Sequence, residues 1–201
     1  KLVYPIIHPL CWKHIILFLR CFCYKCSKLL VTKEMCELLK FTQLEEDKRF
    51  KAILTHLKSI DICIHCTTKQ PKYKFSKNEN MIFLERNKLR MQLQDGEVKK
   101  IFENVPDKDI ELLGINPKLS HPKNMILTVL PVLPTVCRPY IRPDMSDQNI
   151  CDDDLTASYN EIIKANLKLK DNKLVEVKKN KYIKTIQFRI KCLFDNSHEK
   201  S

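Results

Sequence analysis

Glycine is nearly absent: Gly96 and Gly114 are the only two in 201 residues. A dinucleotide-binding turn and a phosphate-cradling loop each need glycines where backbone meets phosphate, so both fingerprints are excluded. Long apolar runs are missing too. The greasiest stretch, Ile15 to Leu19, is bounded by Lys13, His14 and Arg20. A membrane span needs about 20 apolar residues, so this stretch reads as a buried helix. No signal peptide is visible, and the chain opens on Lys1, so it is expected to be a fragment or a processed piece. Without a secretory context, the ten cysteines argue for metal ligands and free thiols over disulfides.

What is present describes a globular chain. Apolar residues make up 44% and charged residues 30%, enough for a core in one or two domains. The net charge of +12 suggests an anionic partner, nucleic acid being the usual one. The bland alternative is a basic soluble protein with no such partner.

The cysteines carry the strongest local signal. Cys23-Tyr-Lys-Cys26 and Cys63-Ile-His-Cys66 are two CxxC pairs with 36 residues between them. Two thiolates so spaced can turn back onto one metal ion, and two such knuckles complete a closed tetrahedral zinc site. A thioredoxin-like redox pair is the weaker reading, because no βαβ frame surrounds either motif. Ser27 and Thr67 stand where a glycine usually follows each knuckle, which implies strain there. Cys21 and His65 are alternative ligands.

Periodicity supplies the elements. Lys1 to His8 reads as a short strand, followed by a helix with Trp12, Ile15, Ile16 and Leu19 on its apolar face. Between the knuckles, residues 33–41 and 44–57 read as helices, with Met35, Leu38 and Leu39 lining one face and Phe50, Ile53, Leu54 and Leu57 the other. Residues 70–75 and 80–86 read as strands. Residues 97–104 and 107–113 read as helices, the second capped by Gly114. Met125 to Leu130 reads as a buried strand. Pro131, Pro134, Pro139 and Pro143 then stiffen the chain, since each lacks an N–H and fixes φ. Asp152, Asp153 and Asp154 open a helix and are expected to cap it. Leu155, Tyr159, Ile162, Ile163 and Asn166-Leu167 repeat along that helix at helical spacing. A turn at Asp171-Asn172 and a helix over 174–194 follow, making an antiparallel hairpin with residues 153–170. Lys178, Lys179, Lys181, Lys184 and Lys191 decorate it as a solvated face or a nucleic-acid contact.

TVLPVLP (128–134), then RP, then DDLT, then the helix containing IIKAN closely resembles the largest subunit of multisubunit DNA-directed RNA polymerases. That family has TVLPVPP, a VRP, a loop and a DDLT helix in the same order. Glu97 to Val132 resembles the segment leading into it. Leu19 to Leu30 is similar to the family's first zinc CxxC, and Cys66-Thr-Thr-Lys-Gln70-Pro71 to its second knuckle. Residues 33–61 and 73–95 match only by position.

The resemblance implies an α+β fold: a mostly helical, zinc-stapled clamp head with short strands, and a C-terminal antiparallel helical hairpin. It divides the chain into a clamp-head-like region, 1–96, and a clamp core, 97–201, with a lid-like loop at 138–151 and the hairpin at 153–194. It puts the metal on Cys23, Cys26, Cys63 and Cys66, with Cys21 a bystander. Arg138 and Arg142 become candidates for phosphate contacts, and Lys168, Lys170 and Lys173 for docking of transcription factors at the hairpin tip. Structural Zn2+ is the implied cofactor. The family's catalytic Mg2+ is held by a loop reading NADFDGD, which this chain lacks, so Mg2+ belongs to a catalytic part outside it. The implied partners are DNA, the RNA–DNA hybrid, and the second-largest and other polymerase subunits, with no membrane. The implied location is inside the cell: the nucleus, or a virion or cytoplasmic factory for a viral source. The alternatives are a free-standing zinc module binding nucleic acid or a transcription factor, and an inactive structural relic.

Overall fold

The computed structural model describes residues 1–76, 81–86, 89–140, 151–171 and 174–195. It mixes helices with two small sheets, as an α+β chain should. The chain forms two units, Leu10–Ile126 and Lys1–Pro9 with Leu127–Ser201. The division expected after residue 96 differs from this one. Phe102 meets Phe18 edge-on, with ring centroids 6.4 Å apart, so the segment after 96 shares the core of the segment before it.

Strand β1 (Ile6–Ile7) is shorter than the strand expected over Lys1 to His8. The unit from Leu10 begins with α1 (Trp12–Cys21), which buries Ile15, Ile16, Phe18 and Leu19 as its periodicity requires. Between the knuckles come α2 (Lys33–Leu38) and α3 (Glu46–Leu57). Thr32 caps α2, its hydroxyl accepting from the Met35 N–H at 3.2 Å. The expected apolar face of α2 is wrong. Leu38 is 82% exposed and Leu39 is also exposed, while Cys36 is buried. The helix ends at Leu38, and Lys40 adopts a left-handed φ of 56° that leads the chain into a 3-10 turn at Phe41–Gln43. In α3, Ile53 and Leu57 are buried as expected.

Strands β2 (Lys72–Ser76), β3 (Met81–Arg86) and β4 (Leu89–Leu93) form an antiparallel sheet in that order. Trp12 stacks on Phe75 of β2 at 4.1 Å between centroids. Helix α4 (Asp95–Glu103) starts with the Glu97 carboxylate accepting from the Gln94 N–H at 2.9 Å. Helix α5 (Asp107–Leu112) ends at Gly114, whose φ is +82°. Its N–H donates to Glu111 O at 2.9 Å, and Ile115 N–H to Ile110 O at 3.2 Å. A Cβ at Gly114 would stand 3.0 Å from Glu46 Cα and 3.1 Å from Glu46 O. Backbone cannot yield as a flexible side chain would, so Gly114→Ala should destabilise this unit by about 1–3 kcal/mol. Trp12, the chain's only tryptophan, lies in this unit and reports its unfolding; an unchanged denaturant midpoint would refute the expectation. Helix α6 (Pro117–Ser120) and a 3-10 turn at Pro122–Met125 complete the unit.

The strand expected over Met125 to Leu130 shrinks to β5 (Ile126–Leu127). Val129 is exposed, and Pro131 has no N–H to extend a ladder. In the second unit α7 (Asp154–Lys168) packs along α8 (Glu176–Phe194). Their core is Ile162, Ala165, Ile186 and Ile190, joined by Leu2 and Ile6. Ile163 and Leu167, expected on that face, are exposed, and Ala165 takes their place. Asn166 is used differently: its Oδ1 accepts from Val3 N–H at 2.8 Å, and its Nδ2 donates to Lys1 O at 3.2 Å. The expected acidic cap also fails. Asp153 sits at the N-cap position but makes no capping hydrogen bond, and its Oδ2 is buried without a partner.

Candidate metal centre

Both CxxC motifs fold into the same hairpin. Cys23 N–H donates to Lys28 O and Ser27 N–H to Cys23 O, both at 2.9 Å; Cys63 N–H to Thr68 O and Thr67 N–H to Cys63 O repeat this at 2.9 Å. Each hairpin is closed one step further out, by Leu30 N–H to Cys21 O at 2.9 Å and Gln70 N–H to Asp61 O at 2.7 Å. Within each turn an N–H points at the leading sulfur: Lys25 at Cys23 Sγ and His65 at Cys63 Sγ, both 3.4 Å. Ser27 and Thr67 have φ of 56° and 53°. These are left-handed conformations that glycine adopts without strain and a β-branched threonine resists. The strain implied by the missing glycines is therefore present in the backbone.

The two hairpins meet sulfur to sulfur. The Sγ atoms of Cys23, Cys26, Cys63 and Cys66 all lie within 4.8 Å of one another. Cys23 Sγ is 3.5 Å from Cys66 Sγ, and Cys26 Sγ is 3.8 Å from Cys63 Sγ. Zn–S bonds of about 2.3 Å in a tetrahedron need sulfurs about 3.8 Å apart. The four thiols could hold one metal ion with little movement, and they are the one such group among the described residues. Cys23 and Cys63 are buried, while Cys26 and Cys66 are partly exposed. Burial pushes the Cys26 thiol up to about 12 and raises Cys63. The Thr68 hydroxyl and N–H bring Cys66 down to about 6. A coordinated cation removes these differences, because it deprotonates its thiol ligands outright.

The alternative ligands lie elsewhere. Cys21 is fully buried, and its thiol donates to Leu17 O at 3.3 Å. His65 turns away from the sulfurs, placing Nε2 3.0 Å from Leu29 O. The surroundings contain groups that spacing did not signal. The Gln70 carboxamide reaches the first knuckle from the second, 3.3 Å from Cys23 Sγ. Arg86, at the end of β3, donates to the Tyr24 hydroxyl at 2.6 Å over the first knuckle. Asp109 Oδ2 of α5 accepts from Leu29 N–H at 3.2 Å.

In the other unit, Arg138 is anchored rather than extended. It donates from Nε to Leu133 O at 3.0 Å and from Nη1 to Thr156 Oγ1 at 3.1 Å, with its guanidinium 5.4 Å from the Tyr159 ring. It fastens the base of the proline segment to α7. Arg142 and most of the lid-like loop lie outside the described residues, as does Lys173. Lys168 and Lys170 are exposed at the end of α7, Lys168 with its Nζ 5.6 Å from the Tyr182 ring. Among the described residues, no helix is long and apolar enough to cross a membrane.

The family described as RNA polymerase Rpb1, domain 1, matches residues 1–201. A probable DNA-directed RNA polymerase II subunit RPB1 homolog of Invertebrate iridescent virus 6 is 39% identical over 180 residues, covering 81% of this chain and 17% of that protein. DNA-directed RNA polymerase subunit Rpo1N of Sulfolobus acidocaldarius is 36% identical, covering 86% of this chain and 20% of that protein. DNA-directed RNA polymerase subunit 1 of Acanthamoeba polyphaga mimivirus is 32% identical, covering 86% of this chain and 13% of that protein. The chain thus spans a fifth or less of the length of these relatives.

Proposed function

This chain belongs to the RNA polymerase Rpb1 domain 1 family, and we propose that it is the clamp region of the largest subunit of a DNA-directed RNA polymerase. The observation that carries the reading is the family match along residues 1–201. In it the chain holds DNA and the RNA–DNA hybrid during transcription, while the nucleotidyl-transfer chemistry and its Mg2+ lie in parts outside it. A net charge of +12 suits that task, since Lys and Arg neutralise phosphates without reading sequence.

Zinc is the metal that the four thiols suit, because a closed all-thiolate tetrahedron is its structural coordination. Bound there, it acts as a staple. It draws two hairpins together and fixes the base of the segment carrying α2 and α3. We assign 1–96 to the clamp head and 97–201 to the clamp core, a division by role that does not follow the packing of Phe102 against Phe18. The loop 138–151 acts as a lid at the upstream end of the hybrid. Arg138 fixes the root of that loop, and Arg142 contacts phosphate. The other partners are the second-largest subunit, further polymerase subunits, and transcription factors that dock at Lys168, Lys170 and Lys173.

The test of docking is charge reversal. In a reconstituted polymerase, Lys168→Glu, Lys170→Glu and Lys173→Glu together should weaken factor recruitment at least several-fold. Lys168 and Lys170 are exposed, so zinc content and folding should be unaffected. Recruitment of every factor at the unmodified level would remove the docking role.

A further inference from the structure

We infer that Gln70 is a positioning residue for the metal centre, joining the second knuckle to the first and donating a hydrogen bond to the Cys23 sulfur. The inference rests on the reading of the four cysteines as metal ligands.

The geometry leaves one orientation for the carboxamide. Its Oε1 accepts from the Tyr24 N–H at 3.2 Å. Its Nε2 donates to Thr68 O at 2.8 Å and stands 3.3 Å from Cys23 Sγ. Flipping the amide would set its NH2 against the Tyr24 N–H and its oxygen against the Thr68 carbonyl, two repulsive pairs. With the orientation fixed, an N–H faces Cys23 Sγ. Tyr24 follows Cys23 inside the first CxxC, and Thr68 follows the second CxxC by two residues. One side chain therefore touches the apex of one knuckle, the arm of the other and a ligand sulfur. Few groups in the sequence could do this. The side chain must carry a donor and an acceptor at the same end, and be long enough to cross between hairpins.

Two consequences follow. First, the knuckles are held in register across 46 residues of separation before any metal binds. His65 adds a second tie in the same direction, from the second knuckle to Leu29 O. Preorganisation of this kind lowers the ordering that a metal must enforce. Second, the sulfur gains a donor beyond the Lys25 N–H. Hydrogen bonds to a ligating thiolate stabilise its lone pairs and spread the charge that four thiolates place around one dication. At Cys66 the thiol donates to the Thr68 hydroxyl at 3.2 Å, and that hydroxyl donates to Cys66 O at 3.3 Å.

The test uses the full chain as wild type, Gln70→Ala and Gln70→Glu, loaded with zinc and, separately, with cobalt(II). Gln70→Glu keeps the shape and loses the donor. Chelator competition should give a zinc affinity lower by about ten- to a hundredfold in both variants. With cobalt, the tetrahedral d–d bands should persist, which reports an intact four-sulfur site. The sulfur-to-cobalt charge-transfer band should move to longer wavelength, because a sulfur lone pair that loses a donor rises in energy. Unchanged affinity overturns the inference, and so does lowered affinity with an unmoved charge-transfer band. Loss of the d–d bands in both variants makes Gln70 a scaffold residue only and overturns it as well. Wild-type chain that binds neither metal overturns the metal reading itself, and the inference with it.

Discussion

Cys63→Ser should leave the native protein without stoichiometric zinc and loosen residues 33–57. Each knuckle offers two sulfurs, so one substitution leaves a three-ligand site open to water. Structural zinc contributes an apparent binding free energy of about 10–16 kcal/mol in small metal-dependent domains, and that energy is folding energy. Bound at these four thiols, zinc would also offset local strain. Ser27 and Thr67 are held at φ of 56° and 53°, each costing roughly 1–2 kcal/mol for a residue with a Cβ. Without the metal, only the hairpin hydrogen bonds and the Gln70 and His65 ties oppose that strain. The α2–α3 segment should then exchange its amide hydrogens faster, while the α7–α8 pair, in the other unit, keeps its protection. Elemental analysis and hydrogen exchange read the two effects. Zinc retained at one ion per chain in Cys63→Ser would exclude the four-thiolate site.

The second large effect lies in the core. Phe102 is fully buried and meets Phe18 edge-on at 6.4 Å, and Phe18 meets Phe50 at 5.5 Å. Phe102→Ala removes a fully buried ring from that cluster. Truncations of this kind cost about 3–5 kcal/mol, from lost transfer energy and the cavity left behind. A domain has about 5–15 kcal/mol in total, so much of the margin of the Leu10–Ile126 unit would go. Denaturant unfolding followed by Trp12 fluorescence should show the midpoint falling steeply with little change in slope. A loss under about 1 kcal/mol would mean the ring's place is readily filled, against the close packing of interiors.

Much of this was legible in the sequence, for physical reasons that can be named. Helices α1, α7 and α8 have apolar residues at helical spacing over enough turns for the period to show. The CxxC pairs were legible because chelation restricts spacing tightly. Gly114 was legible because few residues tolerate its φ of +82°. Short or crowded elements were not. Strand β4 was not read although Leu89-Arg90-Met91-Gln92-Leu93 alternates, and its Leu89 and Met91 stand exposed, so the alternation marks no buried face. The face of α2 was misassigned because six residues are too few to fix a direction against a left-handed turn at Lys40. Asp153 satisfied the composition rule for a cap without making the bond. Gln70 and Asn166 act through hydrogen bonds to backbone more than forty residues away, which no local pattern encodes.

The clamp assignment is tested most directly by photocrosslinking in a transcribing complex. A polymerase assembled with this chain as part of its largest subunit would carry a photoreactive residue at position 142. If the chain is the clamp and residues 138–151 are its lid, irradiation of a stalled elongation complex should crosslink that position to the upstream end of the RNA–DNA hybrid. Crosslinks should disappear when the hybrid is omitted. A complex that transcribes normally and yields no crosslink from this position to RNA or DNA would contradict the clamp assignment.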